Sequence, residues 1–210
     1  MMLQQELAKL QAARTGTLGM TAGLSQTQAD FALHQDTWSI GEILDHLLLT
    51  DQANRHQIAR LIELANTGQK PFVSLSLEDF NFSPVVIPKS FLPFTELPFR
   101  MLNMFTPRAL RELIFRYRVV PARAADVAQP RKGRSVRELR NELDSSITET
   151  RNLLDSNPKL NYHQLVLDHP LLGTNNVAEL LRIMAAHELR HQEQIIQLLR
   201  CHEFPNLSAA

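Results

Sequence analysis

Residues 176–202 read NVAELLRIMAAHELRHQEQIIQLLRCH. Leu180, Met184, His187, His191, Ile195 and Leu198 recur at spacings of four, three, four, four and three. That period is the core-facing stripe of an amphipathic helix. Asn176 with Glu179 three residues on makes a capping box at its start, and Pro205 follows its end. Two positions of the stripe are histidine. A spacing of four puts His187 and His191 one turn apart on one face, about 5–6 Å between Cβ atoms. A buried imidazole needs a hydrogen-bond partner or a metal, because unsatisfied polar burial costs roughly 1–3 kcal/mol. The spacing fits either outcome.

Working outward, three more segments carry helical periodicity. Residues 2–25 hold Leu3, Leu7, Leu10, Ala13 and Leu24, with Gly16, Gly19 and Gly23 permitting close packing or an early end. A second helix opens at Ser39, where Ser39-Ile40-Gly41-Glu42 is a capping box and Trp38 and Ile43 fit a hydrophobic staple. It reads to about Asn66, with Gly68 as the stop. A third opens with another capping box, Ser135-Val136-Arg137-Glu138, shows Leu139, Leu143, Ile147, Thr150 and Leu154 on one face, and ends at Asn157-Pro158. Four long periodic segments without convincing strands predict an all-α fold, a four-helix bundle.

Between helices two and three the pattern breaks. Residues 71–107 contain six of the eleven prolines and seven of the ten phenylalanines. The expectation is an irregular insertion that covers the site or forms a homodimer contact, since so much aromatic surface left exposed makes an apolar patch. Residues 108–118 can form a short helix. From 108 to 140 there are ten Lys/Arg and three Asp/Glu, read either as a solvated face or as a region attracting an anion.

Composition excludes several classes. The 210 residues carry 22 basic and 22 acidic side chains, which argues against nucleic acid as a partner. The single Cys201 excludes an internal disulfide and any C-x-x-C motif. No stretch approaches the ~20 apolar residues of a membrane span. Met1-Met2-Leu3-Gln4-Gln5-Glu6 lacks the basic-then-apolar order of a signal peptide. A cytoplasmic chain that does not enter membranes is expected.

His187-Glu188-Leu189-Arg190-His191 also matches H-E-x-x-H, in which the Glu is the general base of a zinc protease. The rest of that pattern is missing: Gln194 and Gln197 stand where an extended form needs Gly and His, and beyond the helix only Glu203 is left, next to Pro205. Glu188 is therefore a weak catalytic candidate, read as an accidental match or a group behind the ligands. A third ligand has to come from upstream; His46 on helix two, taken by itself, reads as a satisfied core or boundary histidine. His34, His56, His163 and His202 read as surface residues, and His169, before Pro170, as part of a turn.

Trp38-Ser39-Ile40-Gly41-Glu42-Ile43-Leu44-Asp45-His46-Leu47 together with His187-x-x-x-His191 resembles the DinB-like (YfiT-like) superfamily of metal-dependent enzymes. Further features agree: the polar loop 29–37, the proline-punctuated link 117–131, His169-Pro170-Leu171-Leu172-Gly173, and Arg190-His191-x-x-Gln194-Ile195. The resemblance covers about residues 1–66 and 115–200 and implies one helical-bundle domain over 1–210. It implies that His46, His187 and His191 hold a divalent metal ion with water in an open position. Imidazole ligands suit zinc, nickel or iron, without choosing among them. It further implies a small-molecule substrate, handled either by transfer involving a low-molecular-weight thiol or by hydrolysis. The alternative is a metal-stabilised, non-catalytic bundle that binds an apolar ligand or protein partner.

Overall fold

In the computed structural model, residues 2–76, 128–170 and 172–205 are described. Among them the chain is mostly helical: α1 Met2–Met20, α2 Gln26–Ala29, α3 Ile40–Asn66, α4 Val136–Asp155 and α5 Val177–Arg200. Three short strands accompany them: β1 Phe72–Ser74, β2 Val166–His169 and β3 Gly173–Asn176. The four long helices fall where the periodicity puts them. The reading as all-α needs correction for the sheet. Most of the aromatic insertion, the possible helix at 108–118 and the first part of the basic stretch lie outside the described residues.

Local chemistry accounts for the boundaries. At Ser39 and again at Asn176 the capping box is complete: each cap accepts from the backbone three residues on, and Glu42 or Glu179 accepts from the cap's own N–H. At Ser135 only half of the expected box forms: the side chain accepts from the Glu138 N–H at 3.4 Å. A further box, Ser25 with Gln28, starts the one-turn α2. α1 stops before the expected Ser25. Gly23, at φ 77°, takes the left-handed conformation that closes a helix.

The sheet explains where the chain goes between long helices. β1 pairs in parallel with β2, Phe72 opposite Val166 and Ser74 opposite Asp168. β2 turns back antiparallel onto β3, His169 opposite Gly173. Leu165, Leu167 and Val73 tuck into the core beneath it. β3 runs directly into Asn176, the cap of α5, so the hairpin aims that helix.

The core is two apolar clusters. One gathers Leu7 and Leu10 of α1, Ile58 and Leu61 of α3, Ile147 and Leu154 of α4, and Leu180, Leu181, Met184 and Ala185 of α5. The other gathers Ile40, Ile43, Leu44, Leu47 and Leu48 of α3, Leu139 and Leu143 of α4, and Ile195 and Leu198 of α5, with Leu18 and Met20 of α1 at its edge. α1 and α5 thus run from the first cluster to the second, and α3 and α4 from the second to the first. α1 packs along α5 and α3 along α4. Between the clusters lie buried polar groups: Arg14, Thr17, Asp51, Ser146, Glu188, His191 and Gln192.

Candidate metal centre

α3 and α5 supply the centre. The complete cap at Ser39 fixes where α3 begins, and Ile40 to Leu48 are buried without a break, His46 among them at 7% exposure. On α5 the predicted stripe is buried at Leu180, Met184, His191, Ile195 and Leu198. His187 is half-buried.

The three histidines meet. His46 Nε2 lies 3.3 Å from His187 Nε2, and His191 Nε2 lies 3.1 Å from the same atom. The ligating nitrogens of all three fall within 4.8 Å of one another, and no other such cluster of three ligating groups occurs among the described residues. The Trp38 ring closes one side, 4.7 Å from the His46 ring and stacked 6.2 Å from that of His191. Trp38 therefore does more than staple the start of α3.

Hydrogen bonds behind the rings set their tautomers. His46 Nδ1–H donates to the Ala128 carbonyl at 2.7 Å. His191 Nδ1–H donates to Gln194 Oε1 at 2.6 Å. Each bond leaves Nε2 as the lone-pair nitrogen, the arrangement that outer hydrogen bonds impose on ligating histidines. Both lone pairs face His187 Nε2, whose single hydrogen, if present, can be given to one ring at a time. A cation satisfies all three nitrogens together. Nitrogens held 2.0–2.1 Å from a tetrahedral ion stand about 3.3 Å apart, so the observed spacings and an all-imidazole donor set fit a divalent metal.

Electrostatics favour the ligand form. Burial pushes the His46 pKa below its ordinary value, and Arg190 pushes the same way. His187 goes lower still, from loss of hydration and the neighbouring rings of His191 and His46. Both are neutral at pH 7, as metal ligation requires. Asp45, beside His46, steadies the segment that carries Ala128. Its fully buried carboxylate accepts from the Arg131 N–H at 2.7 Å and from Arg134 at 2.8 Å. Burial raises the Asp45 pKa, but those donors outweigh it and hold the carboxyl below its usual value.

Glu188 does not join the cluster. It is 1% exposed, and both carboxylate oxygens accept from Arg14, at 2.7 and 3.0 Å. His34, His56, His163 and His202 are exposed, as expected. His169 ends β2, and its Nδ1 accepts from the Leu172 N–H at 3.2 Å, a turn contact. Sequence reasoning did not find Ala128, which acts through a backbone carbonyl and has no side-chain signal. Nor did it give Asp45 or Arg14 a role, though both are charges at core positions of their helices.

Comparison with curated proteins and with solved structures finds no match. Comparison with protein families does: the pattern of the DinB superfamily matches residues 9–195, which include every residue of the centre and all four long helices in whole or large part. The chain belongs to the DinB superfamily.

Proposed function

We propose that this chain is a metal-dependent enzyme in which His46, His187 and His191 hold one divalent cation, zinc, nickel or iron. The observation that carries the reading is the convergence of three imidazole nitrogens, two of them oriented by hydrogen bonds from Nδ1. Three neutral ligands leave a coordination position open, the mark of a catalytic site. A cation there lowers the pKa of bound water toward 7 or holds a thiol as thiolate. The chain's own part is to orient the rings through Ala128 and Gln194, to shield His46 with Trp38, and to leave His187 as the partly exposed member. The substrate class we favour is a small molecule, processed by transfer involving a low-molecular-weight thiol or by hydrolysis. Four-helix-bundle architecture over one domain, a cytoplasmic location and a homodimer complete this reading.

The test is metal content, stability and activity of untagged protein. We expect about one metal ion per chain. His46→Ala, His187→Ala and His191→Ala should each lose it, while His56→Ala, exposed on α3, keeps it. Below about 0.2 ions per chain after mild purification, the centre is wrong. A panel of thiol-transfer and hydrolysis assays on loaded protein then separates an enzyme from a metal-stabilised binding module.

A further inference from the structure

Between the two apolar clusters the core contains a charged layer built on one guanidinium. Arg14 of α1 is 1% exposed. Its Nε donates to Glu188 Oε1 at 2.7 Å, and its Nη2 to Glu188 Oε2 at 3.0 Å and Asp51 Oδ2 at 2.7 Å. Its Nη1 donates to the Leu143 carbonyl at 2.6 Å, and Asp51 Oδ2 also accepts from Ser146 Oγ at 3.1 Å. One side chain of α1 therefore grips α3, α4 and α5 at once.

Stability does not explain this layer. Exchanging a buried ion triad for apolar side chains of similar volume is often neutral or stabilising, because desolvation offsets the Coulomb gain. What the triad does supply is geometry. A planar guanidinium has fixed donor directions, so the carboxylates it binds are held in distance and angle. Those carboxylates sit beside the metal ligands: Glu188 directly follows His187, and Asp51 lies five residues beyond His46 on the same helix. Across the same two helices, His46 Nε2 must meet His187 Nε2 at 3.3 Å. One turn further along α5, Gln192 donates to the Ala13 carbonyl at 2.6 Å and to Thr17 Oγ1 at 3.1 Å, fixing α5 against α1 as well.

We propose that Arg14, Asp51 and Glu188 form a positioning device that sets the height and separation of α3 and α5, so that His46 meets His187 and His191 in metal-binding geometry. None of the three touches the ion. This inference rests on the reading of the histidines as a metal centre.

The experiment compares native protein with the triple variant Arg14→Met, Asp51→Leu, Glu188→Met. Three quantities are read: the unfolding midpoint of metal-free protein, zinc affinity by competition with a chromophoric chelator, and the visible spectrum of the cobalt-loaded protein. We expect a midpoint equal to or above native. Zinc affinity should fall about ten- to a hundredfold, as when groups behind a metal's ligands are removed, with an altered cobalt spectrum. A merely structural triad would lower the midpoint and leave affinity and spectrum unchanged in the folded protein. Should the triple variant not fold, Arg14→Lys carries the same test, since its point charge cannot hold both carboxylates in a fork. Native zinc affinity and cobalt spectrum in the folded variant overturn the inference. A native chain that binds no zinc overturns the metal centre, and this inference with it.

Discussion

His46 shows how far a residue's role can be read before its surroundings are known. The i, i+4 pair on α5 was legible because helical period alone puts His187 and His191 on one face. His46 was not: nothing in its own helix says that α3 meets α5 at this height, and resemblance to a family had to supply it. The turn histidine, His169, shows the same limit in another form. Burial pushes its pKa down to about 4, against a smaller upward effect of Asp168. The unfolded value is about 6.5. Between these limits the unfolded chain binds a proton that the folded chain does not, so unfolding free energy rises with pH there and falls on acidification. Protonation at Nδ1 would also break the bond from the Leu172 N–H. In metal-free protein, denaturant titrations from pH 7 to pH 4 should therefore show His169→Asn with the shallower pH slope. The difference should approach about one proton, because Asn keeps an acceptor near Nδ1 but does not titrate. Identical slopes would show that His169 titrates in the folded protein as it does unfolded.

At the scale of elements, long helices were legible and short strands were not. α3, α4 and α5 announce themselves by a buried face repeated over five or more turns and by caps whose side chains bind the first free N–H groups. β1, β2 and β3 span three or four residues each, too few for alternation to stand out, and they exist because β1 and β2 find each other across more than ninety residues of chain. α1 illustrates a mixed case. Its glycines read as breaks or contacts, and both readings hold. Gly23 ends the region by its positive φ, and a Cβ at Gly16 would stand 3.0 Å from Gln192 Nε2. Caps differ in weight by burial. Ser39 is 4% exposed and makes both bonds of its box, at 3.2 and 3.0 Å. Ser135 makes one bond, at 3.4 Å, in an exposed setting. Ser39→Ala should cost about 1–2 kcal/mol and Ser135→Ala about 0.5 kcal/mol or less in urea unfolding. Equal losses would show that burial of the cap does not set its contribution.

Across the whole molecule, the polar layer divides the core and the centre lies against it. Residues that touch across this layer are far apart in sequence: Arg14 with Glu188, His46 with His191, Asp51 with Ser146. Such pairings could not be read from any one segment, because each depends on the direction in which the helices pass one another. A metal held by the three histidines would be a cross-link between α3 and α5, two helices that run in opposite senses. A ligand that binds the folded chain and not the unfolded one stabilises by RT ln(1 + [L]/Kd). The unfolded chain separates His46 from His187 by 141 residues, so it offers the i, i+4 pair at most and binds more weakly. At free zinc a hundredfold above Kd the gain is about 2.7 kcal/mol. In a chain of this length 1 kcal/mol moves the midpoint by roughly 2–4 °C. Chelator treatment should therefore lower the thermal midpoint by roughly 5–10 °C, and titrating zinc back should restore it with a logarithmic dependence on free metal. His46→Ala keeps the α5 pair but removes the bridge between helices. It should respond to chelator far less than His56→Ala, which keeps all three ligands. A His46→Ala midpoint that falls as far as that of His56→Ala would mean that the stabilising metal sits elsewhere.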